Sequence, residues 1–215
     1  MKSPHESILP NRDAFASDPI GYSLLGWHKW GMAQTIAGFD IDISKPSTSE
    51  DLKSPILWLT QAHAMAECAR IILQNNPNLD NLTTETQGIC DCQYCAAGLM
   101  LVGYSLEICL KAMLIIKQGI STYAQNEKTY RHHRLVDLAS FIPNFDAKDK
   151  AILQALSHFT LWAGRYPDPG SEKIDNVEKV FSLSETYKIS AKDLFELAAR
   201  VMKHTALVTA QYESG

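Results

Sequence analysis

The chain has 215 residues, of which 46% are hydrophobic and 20% are charged. These values are typical of a folded protein with a substantial core, and the length suits one domain or one domain with an extension. The formal net charge of −4 excludes a global attraction to nucleic acid, so any binding of a polyanion must depend on a local basic patch.

The first quarter of the chain predicts little regular structure. Residues 1–13 are polar, residues 14–38 form a weak amphipathic pattern interrupted by glycines and a proline, and residues 39–53 have the composition of a loop. We assign residues 1–53 to an N-terminal extension, with one packed helix as an open option. The start MKSPHESILPNRD has no apolar run of the kind a signal peptide requires, so we expect a cytoplasmic protein.

The remainder, residues 54–215, predicts a helical bundle. Ser54 followed by Pro55 indicates a helix start, because proline is favoured at the first helical position. Residues 75–89 and residues 120–130 are mostly polar and are predicted to be connections. These connections separate the first helix from a central one, and the central one from the C-terminal part.

The central segment, Cys95 to Gly119, is apolar on almost every face and is long enough to cross a bilayer. Glu107 and Lys111 interrupt it at a spacing that places both side chains on one helical face. Charges at this position are costly in a membrane. The segment therefore predicts the core helix of a soluble bundle, and no membrane association is expected.

Three further elements follow in the C-terminal half. A short helix is predicted within residues 131–142, and Asp146 is placed to cap a helix over residues 147–163. Ser190 and Asp193 form a capping-box-like pair at the start of a last helix. Strand-like alternation is found only weakly, at residues 180–189. The fold class is therefore all-α, an up-and-down antiparallel helical bundle.

Three motifs in this order carry a resemblance to a known family. They are YSLEICLKAMLIIKQG (residues 104–119), HRLVDLASFIP (residues 133–143) and GRYPDPG (residues 164–170). Together they resemble the HEPN domain family over roughly residues 54–212. The resemblance implies a helical bundle that is usually dimeric. It also implies a role in RNA metabolism, toxin–antitoxin pairs or phage defence, and partnership with minimal nucleotidyltransferases.

Many nucleases of this family carry an arginine followed, after four to six residues, by a histidine, and they cut RNA without a metal. In this chain Arg165 has no histidine within that reach, and only three residues separate Arg200 from His204. This departure favours an RNA-binding or partner-binding subunit and leaves a metal-independent ribonuclease as the alternative. The candidate catalytic residues of that alternative are Arg165, His133, Arg200 and His204.

A basic patch supplies candidate phosphate ligands, since arginine binds phosphate through two parallel hydrogen bonds. Its residues are Arg131, His132, His133 and Arg134, with Arg165 as a further candidate. The alternative is that the patch binds no phosphate: His133 would cap or pack against its own short helix, and the other three side chains would be solvated. For Arg165 the alternative is a structural ion pair with Glu107 or Asp168.

Two other groups of residues have open interpretations. Tyr104, Glu107 and Lys111 form a polar stripe that serves either as the floor of a pocket or as an internal ion pair. Cys90, Cys92 and Cys95 have the C-x-C-x-x-C spacing of thiolate sites, but a closed zinc site needs a fourth ligand that is not nearby. We assign no metal or cofactor, and a thiol- or metal-responsive protein is the second alternative function.

Overall fold

The computed structural model describes residues 4–213. Within these residues the chain forms twelve α-helices and no β-strand, which confirms the predicted all-α fold. The chain divides into two compact units, residues 1–57 and residues 58–215.

Short helices with local caps make up the first unit. They are α1 (Pro4–Ile8), α2 (Arg12–Ser17), α3 (Pro19–Ser23) and α4 (Gly26–Ile36). The carboxylate of Asp18 accepts a hydrogen bond from the backbone of Gly21 at 2.9 Å, which begins α3 where α2 ends. Among the described side chains of this unit only Gly31 and Lys53 are buried, so the unit has almost no core of its own. The predicted loop over residues 39–53 is confirmed, apart from one 3₁₀ turn at its end.

A central helix with several shorter helices around it forms the second unit. Its helices are α5 (Pro55–Gln74), which begins just before the division, α6 (Thr84–Gln118), α7 (Ile120–Gln125), α8 (Glu127–Tyr130), α9 (Leu135–Leu138), α10 (Ala147–His158), α11 (Asp175–Tyr187) and α12 (Ala191–Glu213). A single π-helical turn, Phe159–Ala163, continues α10. The helix starts predicted at Pro55, after Asp146 and after Ser190 are confirmed.

Helix α6 is the element around which the second unit packs. It contacts α7, α9, α10 with its π-helical turn, and α12. Leu106, Leu110 and Met113 on this helix are completely buried. The helix is long and apolar enough to cross a membrane by length and composition, and 61% of its most apolar stretch is buried inside the protein. This burial is what a core helix requires, and it accounts for the apolar sequence.

Two predicted connections contain more helix than expected. Helix α6 begins at Thr84, so the loop predicted over residues 75–89 ends earlier than expected. The connection predicted over residues 120–130 contains α7 and α8. Tyr123 of α7 is buried there, with its ring stacked on that of Tyr130 at 5.2 Å between centroids. Aromatic packing therefore stabilises helical turns that are too short and too polar to be predicted from periodicity.

The weak strand-like alternation at residues 180–189 does not form a strand, in agreement with the predicted all-α fold. Most of these residues belong to α11, which packs against α10 and has no buried residue. The helix ends at Lys188, whose left-handed conformation (φ +46°) terminates the hydrogen-bond pattern. A short alternating pattern on an exposed helix is indistinguishable from a strand by periodicity alone.

The close approach of α6 to the π-helical turn depends on Gly103. A Cβ at this position would lie 2.5 Å from Cγ2 of Thr160 and 3.1 Å from the carbonyl oxygen of Leu156. We expect Gly103→Ala to lower the free energy of unfolding by up to about 2 kcal/mol, because overpacking costs about 1–3 kcal/mol and the higher helix propensity of alanine offsets about 1 kcal/mol of this cost. Urea unfolding of the purified variant measures this.

Gly88 on the same helix is the matched control. An added Cβ there meets nothing within 4 Å. Gly88→Ala is therefore expected to stabilise the protein by up to about 1 kcal/mol through helix propensity alone. Equal stabilisation by both substitutions would contradict the tight contact at Gly103.

Candidate functional site

A buried carboxylate, Glu107, lies at the centre of the site. Its residue is 5% exposed, and it lies on α6 one turn before Lys111. One carboxylate oxygen lies 2.7 Å from the ammonium group of Lys111. The other lies 2.7 Å from Nδ1 of His133, which comes from the segment just before α9. The internal ion pair considered for the polar stripe is present and is extended by this histidine.

Tyr104 connects the same stripe to the third motif. Its hydroxyl donates a hydrogen bond to the carbonyl oxygen of Thr160 at 3.2 Å, in the π-helical turn that precedes residues 164–170. Its ring meets the ring of His133 edge-on, with 6.0 Å between centroids. The first two motifs therefore meet at Glu107, and Tyr104 of the first motif also contacts the π-helical turn that leads into the third.

The pairing determines what the imidazole of His133 can do. A carboxylate paired with an ammonium group only accepts hydrogen bonds, so Nδ1 of His133 donates to it, and the tautomer that does so as a free base has its lone pair on Nε2. The side chain of His133 is 37% exposed, whereas that of Glu107 is only 7% exposed. A buried carboxylate thus orients an imidazole that solvent can reach. Such a pair has the chemistry needed to accept or donate a proton.

The basic patch is less strongly charged than its sequence indicates. The guanidinium of Arg131 pairs with Glu127 at 2.8 Å, and that of Arg134 pairs with Asp137. Burial and the neighbouring Arg134 lower the pKa of His132, so this imidazole is neutral at pH 7. The patch therefore presents two exposed guanidiniums, each already beside a carboxylate.

Arg165 does not take either of its expected structural partners. Among the described residues it makes no ion pair with Glu107, whose partners are Lys111 and His133, or with Asp168. Its guanidinium instead donates to the carbonyl oxygen of Leu161 and lies 5.6 Å from the centroid of the Tyr166 ring. It is held at the C-terminal end of the π-helical turn, where a polar ligand can reach it.

The remaining candidate pair, Arg200 and His204, lies elsewhere in the bundle. Arg200 donates to the buried carboxylate of Asp149, which also belongs to the capping box of α10. This hydrogen bond raises the pKa of Arg200 and fixes its charge. The ring of His204 lies 6.2 Å from that of Phe141. Arg200 thus has a structural partner, which the sequence did not identify.

The three thiols at the start of α6 do not converge. On a helix Cys90 and Cys92 point about 200° apart around the axis, since each residue turns by about 100°. Within residues 4–213 no group of three or more His, Cys, Asp or Glu side chains is arranged to hold a metal ion. The C-x-C-x-x-C spacing therefore gives no metal site within the described part of this chain.

Differences in thiol reactivity are expected from burial. Cys92 is exposed, whereas Cys109 is buried and burial raises the pKa of its thiol. We expect Ellman's reagent at pH 8 to label Cys92 rapidly and Cys109 only after unfolding, because the thiolate is the reactive form. Cys92→Ser should remove one rapidly reacting thiol per chain. Cys109→Ser should change only the number of thiols that react in denaturant. If Cys109→Ser instead removed a rapidly reacting thiol, the burial of Cys109 on α6 would be contradicted.

A cavity with a volume of about 550 Å³ lies beside the π-helical turn. Its walls include His158, Trp162, Tyr166, Pro167, Asp168 and Lys173. We call it the Trp162 pocket. This pocket was not predicted, because Trp162 is one apolar residue in a segment predicted as an ordinary α-helix, whereas residues 159–163 wind as a π-helix.

No protein-family model, curated protein or solved structure matches this chain. The interpretation of both sites therefore depends on the residues that form them.

Proposed function

We propose that this chain is an HEPN-like helical module of the cytoplasm that acts as an RNA-binding or partner-binding subunit in a defence or toxin–antitoxin system. The observation that supports the proposal is the contact between the first two motifs, together with a hydrogen bond from the first motif to the turn before the third. Glu107 of the first motif contacts His133 of the second at 2.7 Å. Tyr104 of the first motif donates a hydrogen bond to Thr160, just before the third.

RNA would be bound through phosphate contacts at exposed arginines. The side chains of Arg131 and Arg134 are 67% and 65% exposed, and each keeps N–H donors beyond those used by its carboxylate partner. Because Glu127 and Asp137 already balance these charges, the affinity is expected to be modest and strongly dependent on salt.

Partner binding is the other half of the proposal. The partners we propose are a second copy of the chain, a nucleotidyltransferase, or a toxin or antitoxin. Exposed apolar side chains of the second unit, such as Phe181 at 62% and Leu207 at 59% exposure, provide area for such contacts.

The pair of Glu107 and His133 favours a second candidate function, a metal-independent ribonuclease. Nε2 of His133 would take the proton of a ribose 2′-hydroxyl, whose oxygen attacks the adjacent phosphorus. The P–O5′ bond then breaks, which leaves a 2′,3′-cyclic phosphate, and the leaving 5′ oxygen takes a proton from the imidazolium of His133 or from water to become a 5′-hydroxyl. Arg165 or Arg200 would stabilise the charge of the phosphorane, and Arg165 is the better placed of the two because Arg200 is engaged with Asp149.

Variants at the arginines test the binding proposal. Gel-shift titrations with tRNA would compare the wild type with Arg131→Gln and Arg134→Gln, each of which should weaken binding and reduce the salt slope by about 0.7–0.9. Lys192→Gln is the control, because Lys192 is 81% exposed on α12 and equally cationic. Equal weakening by all three variants, or by none, would count against a specific patch.

The ribonuclease candidate has its own test. His133→Asn should abolish cleavage of RNA in excess EDTA while leaving the far-UV spectrum unchanged, whereas His204→Asn should leave cleavage intact. Loss of cleavage in His204→Asn alone would assign the chemistry to the other histidine.

A further inference from the structure

The Trp162 pocket has a rigid wall. Helix α10 changes to π-helical winding at Phe159, and single π-helical turns are rare and occur frequently at functional sites. Gly164 closes this turn against α6, and a Cβ there would lie 2.9 Å from the carbonyl oxygen of Ala96. Pro167 and Pro169 restrict the loop that follows. These features restrict the backbone of one wall of the pocket, and such restriction lowers the entropic cost of binding.

Two aromatic side chains give the pocket its main recognition surface. The indole N–H of Trp162 donates to Nδ1 of His158 at 3.4 Å. Burial and the nearby Lys179 lower the pKa of His158, so its ring is neutral and can accept this hydrogen bond. The only polar atom of the indole is thus satisfied within the protein, and the rest of the ring is apolar. Tyr166, on the same pocket, is 59% exposed.

The wall of the pocket carries one cation and one carboxylate, and a second cation lies beside Tyr166 outside the wall. Lys173 contributes to the wall, and the guanidinium of Arg165 lies over the ring of Tyr166. Asp168 is the acidic residue of the wall, and its carboxylate already accepts a hydrogen bond from the backbone of Gly170. Aromatic rings beside cations are the combination that binds nucleotides, because bases stack on the rings and phosphates pair with the cations.

We propose that the Trp162 pocket binds one unpaired base of a single-stranded nucleic acid, with an adjacent phosphate at Lys173 and Arg165. The volume of about 550 Å³ lies within the range of small-ligand sites and accommodates a single nucleotide. Stacking tolerates any base, so the site would add affinity without reading sequence. The choice of RNA as the ligand rests on the function proposed above, whereas the stacking geometry does not depend on it.

A labelled pentanucleotide is the probe, because it is too short to span distant phosphate sites. Fluorescence anisotropy would measure its binding to the full chain, with ribose and deoxyribose versions in parallel. We expect Tyr166→Ala to weaken binding of the ribose probe at least about fivefold, since stacking of a base contributes about 1–3 kcal/mol. Tyr166→Phe keeps the ring and should bind like the wild type. Lys173→Gln should reduce the salt dependence.

Phe195→Ala is the matched control, because Phe195 is an aromatic residue exposed to 44% on α12, outside the pocket, and its truncation is expected to leave binding unchanged within about twofold. If the pentanucleotide does not bind, or if it binds Tyr166→Ala as tightly as the wild type, the proposal that the Trp162 pocket binds a base is overturned. If tRNA binding persists in that case, the function proposed for the patch at residues 131–134 survives. If the pentanucleotide binds but tRNA does not, RNA binding by the patch at residues 131–134 is rejected, whereas base binding by the Trp162 pocket is supported.

Photocrosslinking gives a second, independent readout. A pentanucleotide that carries 4-thiouridine should crosslink within residues 159–173, as mapped by mass spectrometry of tryptic peptides. Crosslinks confined to residues 131–134 would overturn the assignment.

Discussion

Replacement of Glu107 by alanine is expected to lower the free energy of unfolding by about 3–5 kcal/mol. The side chains of Glu107 and Lys111 are only 7% and 12% exposed, so removal of the carboxylate leaves a buried ammonium without its counter-charge. It also removes the hydrogen-bond acceptor of His133. Urea unfolding followed by far-UV circular dichroism at pH 7 measures the change.

A double substitution separates the charge effect from the loss of side-chain volume. Glu107→Leu combined with Lys111→Met removes both charges and keeps most of the apolar volume, so it should cost far less than Glu107→Ala alone. If the double variant is as unstable as the single one, the ion pair is not the source of the effect. A Glu107→Ala protein of unchanged stability would show that the carboxylate is solvated.

The second large effect is expected at Leu106, which is completely buried on α6. Leu106→Ala should lower the free energy of unfolding by about 2–5 kcal/mol, through lost apolar burial and the cavity left behind. Leu207→Ala is the matched control, because Leu207 is 59% exposed on α12 and its truncation should change stability by about 0.5 kcal/mol at most. Both variants are measured by urea unfolding without detergent.

This comparison also tests the assignment of α6 as a core helix in water. A helix that faced lipid would not stabilise a folded state in aqueous buffer. Equal effects of Leu106→Ala and Leu207→Ala, or a protein that is soluble only in detergent, would contradict the assignment.

Sequence reasoning predicted the elements whose ends carry local signals. Pro55 at the start of α5, the capping box at Asp146 and the cap at Ser190 are each determined by residues within one helical turn. The first turns of α6 carry no buried residue before Gly98, so hydrophobic periodicity did not mark them. The π-helical turn at Phe159 depends on packing against α6, which no local pattern encodes.

The candidate site was predictable only in part, for the same reason. The pairing of Glu107 with Lys111 follows from their spacing on one helix. The contact of Glu107 with His133 joins residues 26 positions apart, so it required the fold. The partners of Arg131 and Arg134 lie within four residues and were available to sequence reasoning, which overestimated the charge of the patch because it did not count them.

The claim that this chain acts on RNA is tested most directly by one incubation. Purified wild-type protein would be mixed with tRNA and total RNA in excess EDTA, at low and at moderate salt, and resolved on native and denaturing gels. We predict a retained complex that weakens as salt rises, with cleavage on the denaturing gel if His133 acts as a catalyst. RNA that stays both free and intact at high protein concentration would contradict the account.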